Sequence, residues 1–152
     1  MRVITADELR HAVEPLDLVE AMREAFASIS RSRVRTTFSL LDLDEGDVHV
    51  KAAHDPGGDT YVVKVASAVP SNRQRDLPIG NGGVLICSAI TGEPLALLAD
   101  EHYLTDARTA AAGALATDLL AAPDATTLTV LGQACRRACR RRHLHGCGHC
   151  GA

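Results

Sequence analysis

Three basic residues of this chain lie at positions in predicted strands and at a predicted helix start where a positive charge is unfavourable. Arg35 and Lys64 fall in predicted strands, whose interiors disfavour charged side chains. Arg108 falls near the start of a predicted helix, where the helix dipole is positive and a cation calls for an anionic partner. A small carboxylate fits this need, because a guanidinium fork and free helix N–H groups both bind it. Two simpler interpretations stay open: a structural ion pair at Arg108, and a solvent-exposed sheet face for the strand cations.

The helix that carries Arg108 is the most regular stretch of the sequence. Residues 103–116 read Tyr-Leu-Thr-Asp-Ala-Arg-Thr-Ala-Ala-Ala-Gly-Ala-Leu-Ala. Thr105 or Asp106 is the predicted N-cap, which places Arg108 in the first turn of a helix that runs to about Leu120. The alanine run behind it has high helix propensity and lets another element pack closely.

The elements before this helix predict an α+β fold with a mainly antiparallel sheet. Thr5 and Glu8 have the spacing of a capping box, which starts a short helix that ends near Pro15. A second helix follows from Leu16 to Ser30, and its apolar stripe is expected in the core. That stripe consists of Leu18, Met22, Ala25, Phe26 and Ile29. Strands separated by turns are predicted at 33–40, 48–52, 60–67, 84–87 and 95–99.

Length and composition are those of one globular domain with an uneven distribution of charge. The chain has 152 residues, of which 46% are hydrophobic and 23% charged. No apolar run is long enough to cross a membrane, and the first residues do not resemble a signal peptide, so a cytoplasmic protein is expected. Residues 133–152 hold five arginines and no acid, which leaves 11 basic against 19 acidic residues before them.

Residues 123–132 predict the beginning of a second folding unit. Thr127–Gly132 has the pattern of a buried strand that ends in glycine, as at the start of a dinucleotide-binding domain. Such a unit needs a second glycine two positions later, where this chain has Ala134. We therefore divide the chain into a substrate-binding and dimerisation domain (1–122), the first strand of a truncated Rossmann domain (123–132) and an aberrant tail (133–152).

The order of these motifs resembles the ornithine cyclodeaminase/mu-crystallin family. The similar segments are residues 60–66, Leu77-Pro78, the Thr-Gly-Glu-Pro-Leu-Ala of 91–96, the Leu-Thr-Asp-Ala-Arg-Thr-Ala-Ala-Ala of 104–112, and Val130-Leu131-Gly132. The resemblance covers nearly all of residues 1–132 and is most specific at 104–112. It implies an NAD- or NADP-dependent homodimer about twice this length, which cyclodeaminates or dehydrogenates an amino acid or reduces an imine.

The resemblance also implies roles for individual residues. Arg35 and Lys64 match positions that hold the substrate carboxylate, and Arg108 matches an arginine that touches substrate and cofactor. Thr109 and Gly132 match cofactor-binding positions, with Gly132 vestigial here. Ile79 departs from the Thr or Ser common in the family near the cofactor, which weakens the cofactor assignment. The catalytic aspartate of the cyclodeaminases would lie downstream, so no catalytic residue is assigned.

The tail allows three interpretations. Cys135, Cys139, Cys147 and Cys150 with nearby histidines could bind zinc, and the arginines could bind nucleic acid, although no aromatic residue is present for base stacking. A reading-frame shift after Gly132 explains more. With GC-rich codons chosen for the tail, the shifted frame reads Gly-Val-Gln-Ala-Arg-Leu-Gln-Ala-Glu-Ala, which restores the missing glycine.

These observations predict a truncated family member that is itself inactive. The parent activity would be NAD(P)-dependent deamination, cyclodeamination or imine reduction of an amino- or imino-acid substrate. Truncation would also leave apolar surface exposed and the chain marginally stable. The alternative is a small zinc- or nucleic-acid-binding module that uses the tail; no membrane partner is expected.

Overall fold

Three α-helices and six strands make up the part of the chain that the computed structural model describes, residues 1–31 and 34–129. The helices are α1 (Ala6–Ala12), α2 (Pro15–Ser30) and α3 (Tyr103–Leu120). The strands are β1 (Arg2–Thr5), β2 (Arg35–Leu43), β3 (Gly46–His54), β4 (Thr60–Ala68), β5 (Gly80–Ser88) and β6 (Pro94–Ala99). The predicted α+β class with a mainly antiparallel sheet is confirmed.

One sheet contains all six strands, in the order β1-β6-β5-β4-β3-β2. Strands β2 to β5 each pair antiparallel with the next strand along the chain. Strand β1 pairs parallel with β6 and was not predicted, because four residues before a helix carry too little pattern. A 3₁₀ helix, Pro70–Arg75, occupies the predicted loop before β5.

The first two helices begin at the expected residues. The Glu8 carboxylate accepts a hydrogen bond from the Thr5 backbone N–H (2.8 Å), and the Thr5 hydroxyl accepts one from the Glu8 N–H (3.3 Å), which completes the capping box. Pro15 occupies the first turn of α2, where its missing N–H costs nothing.

The core is small, and the predicted core role of α2 is wrong for this chain. The buried apolar residues are Ala6, Leu9, Cys87, Ala111 and Leu115. Helix α2 packs against α3, yet Phe26 and Ile29 of its apolar stripe remain 50% and 57% exposed. Every residue of β2 is also exposed. The expected exposure of apolar sheet and helix surface is therefore confirmed among the described residues.

The end of the described chain leaves several predictions untested. Residues 127–129 of the predicted strand Thr127–Gly132 carry no assigned secondary structure, and its remainder lies outside the described residues. Gly132, Ala134 and the four tail cysteines also lie outside them. In the described residues no helix is both long and apolar enough to span a membrane.

Candidate functional site

The start of α3 lies at least three residues before the predicted one, because His102 rather than Thr105 or Asp106 is the N-cap, and this changes the surroundings of Arg108. The helix begins at Tyr103, so neither Thr105 nor Asp106 is its N-cap. His102 occupies the cap position in the left-handed region (φ 72°) and gives no side-chain cap. Arg108 therefore lies in the second turn rather than the first, and its need for an anion does not come from the helix dipole.

Asp100 supplies the missing cap and was not singled out in the sequence. Its Oδ2 accepts a hydrogen bond from the Leu104 N–H (2.9 Å), and its backbone carbonyl accepts one from the Tyr103 N–H (2.7 Å). The residue is only 2% exposed. An aspartate directly after an apolar strand and four residues before a first-turn N–H is the signal that could have identified it.

Lys64 of β4 reaches the first turn of α3. Its Nζ donates a hydrogen bond of 2.5 Å to the Thr105 hydroxyl oxygen. Arg108 lies three residues beyond Thr105 and hence on the same side of the helix. The structure thus brings Lys64, Thr105 and Arg108 together at the junction of sheet and helix.

The electrostatics of this junction favour an anion. Partial burial lowers the pKa of Lys64, and the nearby Arg108 and Lys51 lower it further. Asp100 and Asp106 act in the opposite direction and offset part of this effect. Neither Lys64 nor Arg108 forms a salt bridge with a described residue. A bound carboxylate would stabilise the charged form of Lys64, because it would replace solvation lost on burial.

Arg35 does not join this cluster. In the strand register Phe38 pairs with Lys51, and Lys51 pairs with Lys64, so these three side chains share one face of the sheet. We call this face the lysine face. Arg35 precedes Phe38 by three residues, so strand alternation directs it to the opposite face.

On that opposite face Arg35 lines an open groove of about 510 Å³ together with His54 and Tyr61. The expected convergence of Arg35, Lys64 and Arg108 is therefore not found in the described residues. The reason is the two-residue period of a strand, which places Arg35 and Lys64 on opposite faces of the sheet.

The described residues do not by themselves fit a dinucleotide. Their one parallel strand pair is β1–β6, and they contain no β–α–β unit with a phosphate-binding turn. Arg108 and Thr109 are the described residues at predicted cofactor positions, and the Thr109 hydroxyl donates to the Thr105 carbonyl (2.6 Å). A cofactor role for Arg108 and Thr109 therefore remains a prediction of the resemblance.

The fold and the site define an α+β domain with two neighbouring cations, Lys64 and Arg108, where the sheet meets the helix α3. Residues 2–141 match the model of the ornithine cyclodeaminase/mu-crystallin family. The chain belongs to that family, as the resemblance predicted.

Named relatives agree with this assignment. An uncharacterized cyclodeaminase of Sinorhizobium fredii is 38% identical over 138 residues, which are 87% of this chain and 41% of that protein. A Delta(1)-pyrroline-2-carboxylate reductase of Bacillus cereus is 32% identical over 136 residues, with the same two coverages. The chain thus spans about 41% of the length of these curated relatives.

Solved structures show the same fold. An archaeal alanine dehydrogenase dimer with bound NAD superposes with a TM-score of 0.77 at 25% identity, covering 83% of this chain and 39% of that one. The Thermococcus litoralis Delta(1)-pyrroline-2-carboxylate reductase in complex with NADH and L-proline gives a TM-score of 0.76 at 25% identity, covering 82% and 39%.

Proposed function

We propose that residues 1–122 form the substrate-binding half of an NAD(P)-dependent enzyme that acts on an amino or imino acid. Lys64 and Arg108 hold the α-carboxylate of that substrate in this proposal. The observation that carries it is a partly buried ammonium group beside a guanidinium, at a helix start, with no acid of the described residues paired to either. Two cations placed together repel each other, and an anion between them removes that cost.

The roles of the three side chains follow from their chemistry. The Arg108 fork can accept a planar carboxylate through two N–H groups, which fixes its orientation. Lys64 contributes a point charge, and its bond to Thr105 keeps the ammonium directed toward the helix. A carboxylate held at both points leaves the α-carbon as the first reacting position beyond the cluster.

In such a reaction the nicotinamide cofactor would supply the hydride transfer. The described residues contribute the grip and orientation of the substrate. We propose further that the 152-residue chain binds a carboxylate without turning it over, because Ala134 stands where the dinucleotide loop needs glycine.

A binding titration tests the proposal. L-alanine and L-proline are titrated into the full chain, followed by calorimetry, for the wild type and for Lys64→Met and Arg108→Met. A lost charged hydrogen bond costs about 1.5–3 kcal/mol, so each variant should bind at least about tenfold more weakly. Arg73→Gln removes one exposed charge from the 3₁₀ helix and serves as the matched control.

Saturable binding that survives in both variants would contradict the proposal, and so would the absence of any carboxylate binding by a folded wild-type chain. A parallel titration with NADH and NADPH tests the cofactor statement. Micromolar binding of either by the full chain would show that the chain retains a cofactor site.

A further inference from the structure

A third cation, Lys51, lies beside the proposed carboxylate site. Its Cα pairs with that of Lys64 in the β3–β4 register, so both side chains stand on the lysine face of neighbouring strands. Like charges directly opposite one another destabilise a sheet. Lys64 also lies near Arg108, which adds to the repulsion rather than relieving it.

The other neighbours of Lys51 leave its charge available. Its Nζ lies 5.2 Å from the centroid of the Phe38 ring, a cation–π contact that orients the ammonium without neutralising it. His49 stacks edge-on against the same ring at 5.5 Å, and its Nε2 lies 3.1 Å from an Asp47 carboxylate oxygen. Asp47 is thus engaged by His49, and Lys51 forms no salt bridge with any residue in the described part of the chain.

The two lysines are not equivalent in their access to acids of the fold. Asp100 and Asp106 both lie close enough to Lys64 to favour its charged form. Lys51 is exposed and lies one strand further from α3, toward Phe38. An anion that extends from Lys64 across the sheet would therefore meet Lys51 next, on the neighbouring strand, whose backbone lies ~4.8 Å away.

We propose that the substrate of this site is a dicarboxylic amino or imino acid of four or five carbons, with its α-carboxylate on Lys64 and Arg108 and its distal carboxylate on Lys51. This inference rests on the proposed function, since it names the substrate class of the same site. In acids of this size three or four carbon–carbon bonds separate the two carboxyl carbons, a span of roughly 4–5 Å that is comparable with one strand spacing. The second carboxylate also neutralises Lys51, a cation with no salt-bridge partner among the described residues.

Isosteric ligand pairs test the inference on the full chain. L-aspartate is compared with L-asparagine, and L-glutamate with L-glutamine, because each pair differs in the distal charge and hardly in shape. An exposed ion pair contributes about a fivefold preference for the acid at constant ionic strength. Lys51→Gln should remove this preference while leaving the affinity for asparagine unchanged, and Lys51→Arg should keep it. Arg73→Gln again controls for the loss of one surface charge.

The outcomes separate this inference from the proposed function. Equal binding of aspartate and asparagine, with both lost in Lys64→Met, would overturn the inference and leave the proposed function standing. A preference for the acids that persists in Lys51→Gln would also overturn it. A folded chain that binds none of the amino acids would overturn both proposals. A preference for the acids that is lost in Lys51→Gln and kept in Lys51→Arg supports the assignment of Lys51 to the distal carboxylate.

Discussion

The buried cap Asp100 determines where α3 begins and hence where Thr105 and Arg108 lie. Its side chain is the described acceptor for the Leu104 N–H at the helix start, since His102 provides no side-chain cap. Replacing it with alanine should leave that N–H without a partner in a largely buried setting. Because the helix start carries two residues of the proposed site, loss of the cap should weaken both stability and binding.

The expected loss of unfolding free energy has two parts, the hydrogen bond of the cap and its negative charge, and Asp100→Ala and Asp100→Asn separate them. Removal of a helix cap costs about 1 kcal/mol, and an unsatisfied buried donor costs about 1–3 kcal/mol, so Asp100→Ala should lose about 2 kcal/mol of unfolding free energy. Asp100→Asn keeps an acceptor oxygen and loses only the charge at the helix N-terminus, about 0.5–1 kcal/mol. The same charge favours protonated Lys64, so Asp100→Asn should move the pKa of Lys64 further down.

Hydrogen exchange of the Leu104 amide is the appropriate assay, combined with thermal melting of each variant. Exchange should accelerate strongly in Asp100→Ala and weakly in Asp100→Asn. A ¹³C NMR titration of Lys64 reports the pKa change. Glu24→Gln, a change of an exposed acid on α2, is the control. Equal protection of the Leu104 amide from exchange in wild type and Asp100→Ala would refute the reasoning, because the cap would then not stabilise the start of the helix.

Further predictions concern Lys64, Gly80 and the exposed strand β2. Burial lowers the pKa of Lys64 below its ordinary value of 10.5, so near that pH the folded chain binds fewer protons than the unfolded chain. The unfolding free energy, measured in denaturant melts, should therefore rise as the pH approaches 10.5. Carboxylate binding in that alkaline range should take up protons, measured as a buffer-dependent binding enthalpy. Gly80→Ala should destabilise the entry to α3 and lower the melting temperature, because a Cβ there would lie 2.9 Å from the His102 ring. Leu41 is 58% exposed on the edge strand β2, and Leu41→Lys should reduce the binding of a dye specific for exposed apolar surface. The same variant should also reduce self-association of the chain, measured by light scattering.

The sequence predicted the fold well wherever local chemistry decides the structure. The capping box at Thr5, the proline at the start of α2 and the turns between β2 and β6 each depend on neighbouring residues. Strand β1 was not predicted, because it is stabilised by parallel pairing with β6, which is remote in sequence. The exposure of Phe26 likewise depends on what covers α2, and an amphipathic stripe contains no information about that partner.

The candidate site was predicted in part. Types and spacing were enough to select Lys64 and Arg108, and the structure places them together. The cap at Asp100 and the earlier start of the helix were not predicted, because residue type alone does not fix the left-handed conformation that His102 adopts. Only the strand register shows that Lys51 is the direct neighbour of Lys64.

Arg35 offers the sharpest contrast between family resemblance and the geometry of this chain. The resemblance predicts that Arg35 holds the substrate carboxylate, whereas the strand register places it across the sheet from Lys64. If the geometry governs binding, Arg35→Gln should change the affinity for a carboxylate ligand by less than about twofold, near the lower limit for a distant surface charge.

If the resemblance governs binding instead, Arg35→Gln should weaken the ligand about tenfold, as expected for a lost charged hydrogen bond. Lys64→Met sets the scale of a true contact in the same calorimetric series, and Arg73→Gln sets the scale of a remote charge. A loss of affinity as large as that of Lys64→Met would mean that Arg35, the first residue of β2, reaches the lysine face when the ligand is bound. A loss no larger than that of Arg73→Gln would leave Lys64 and Arg108 as the carboxylate grip and the groove beside His54 and Tyr61 as a separate surface.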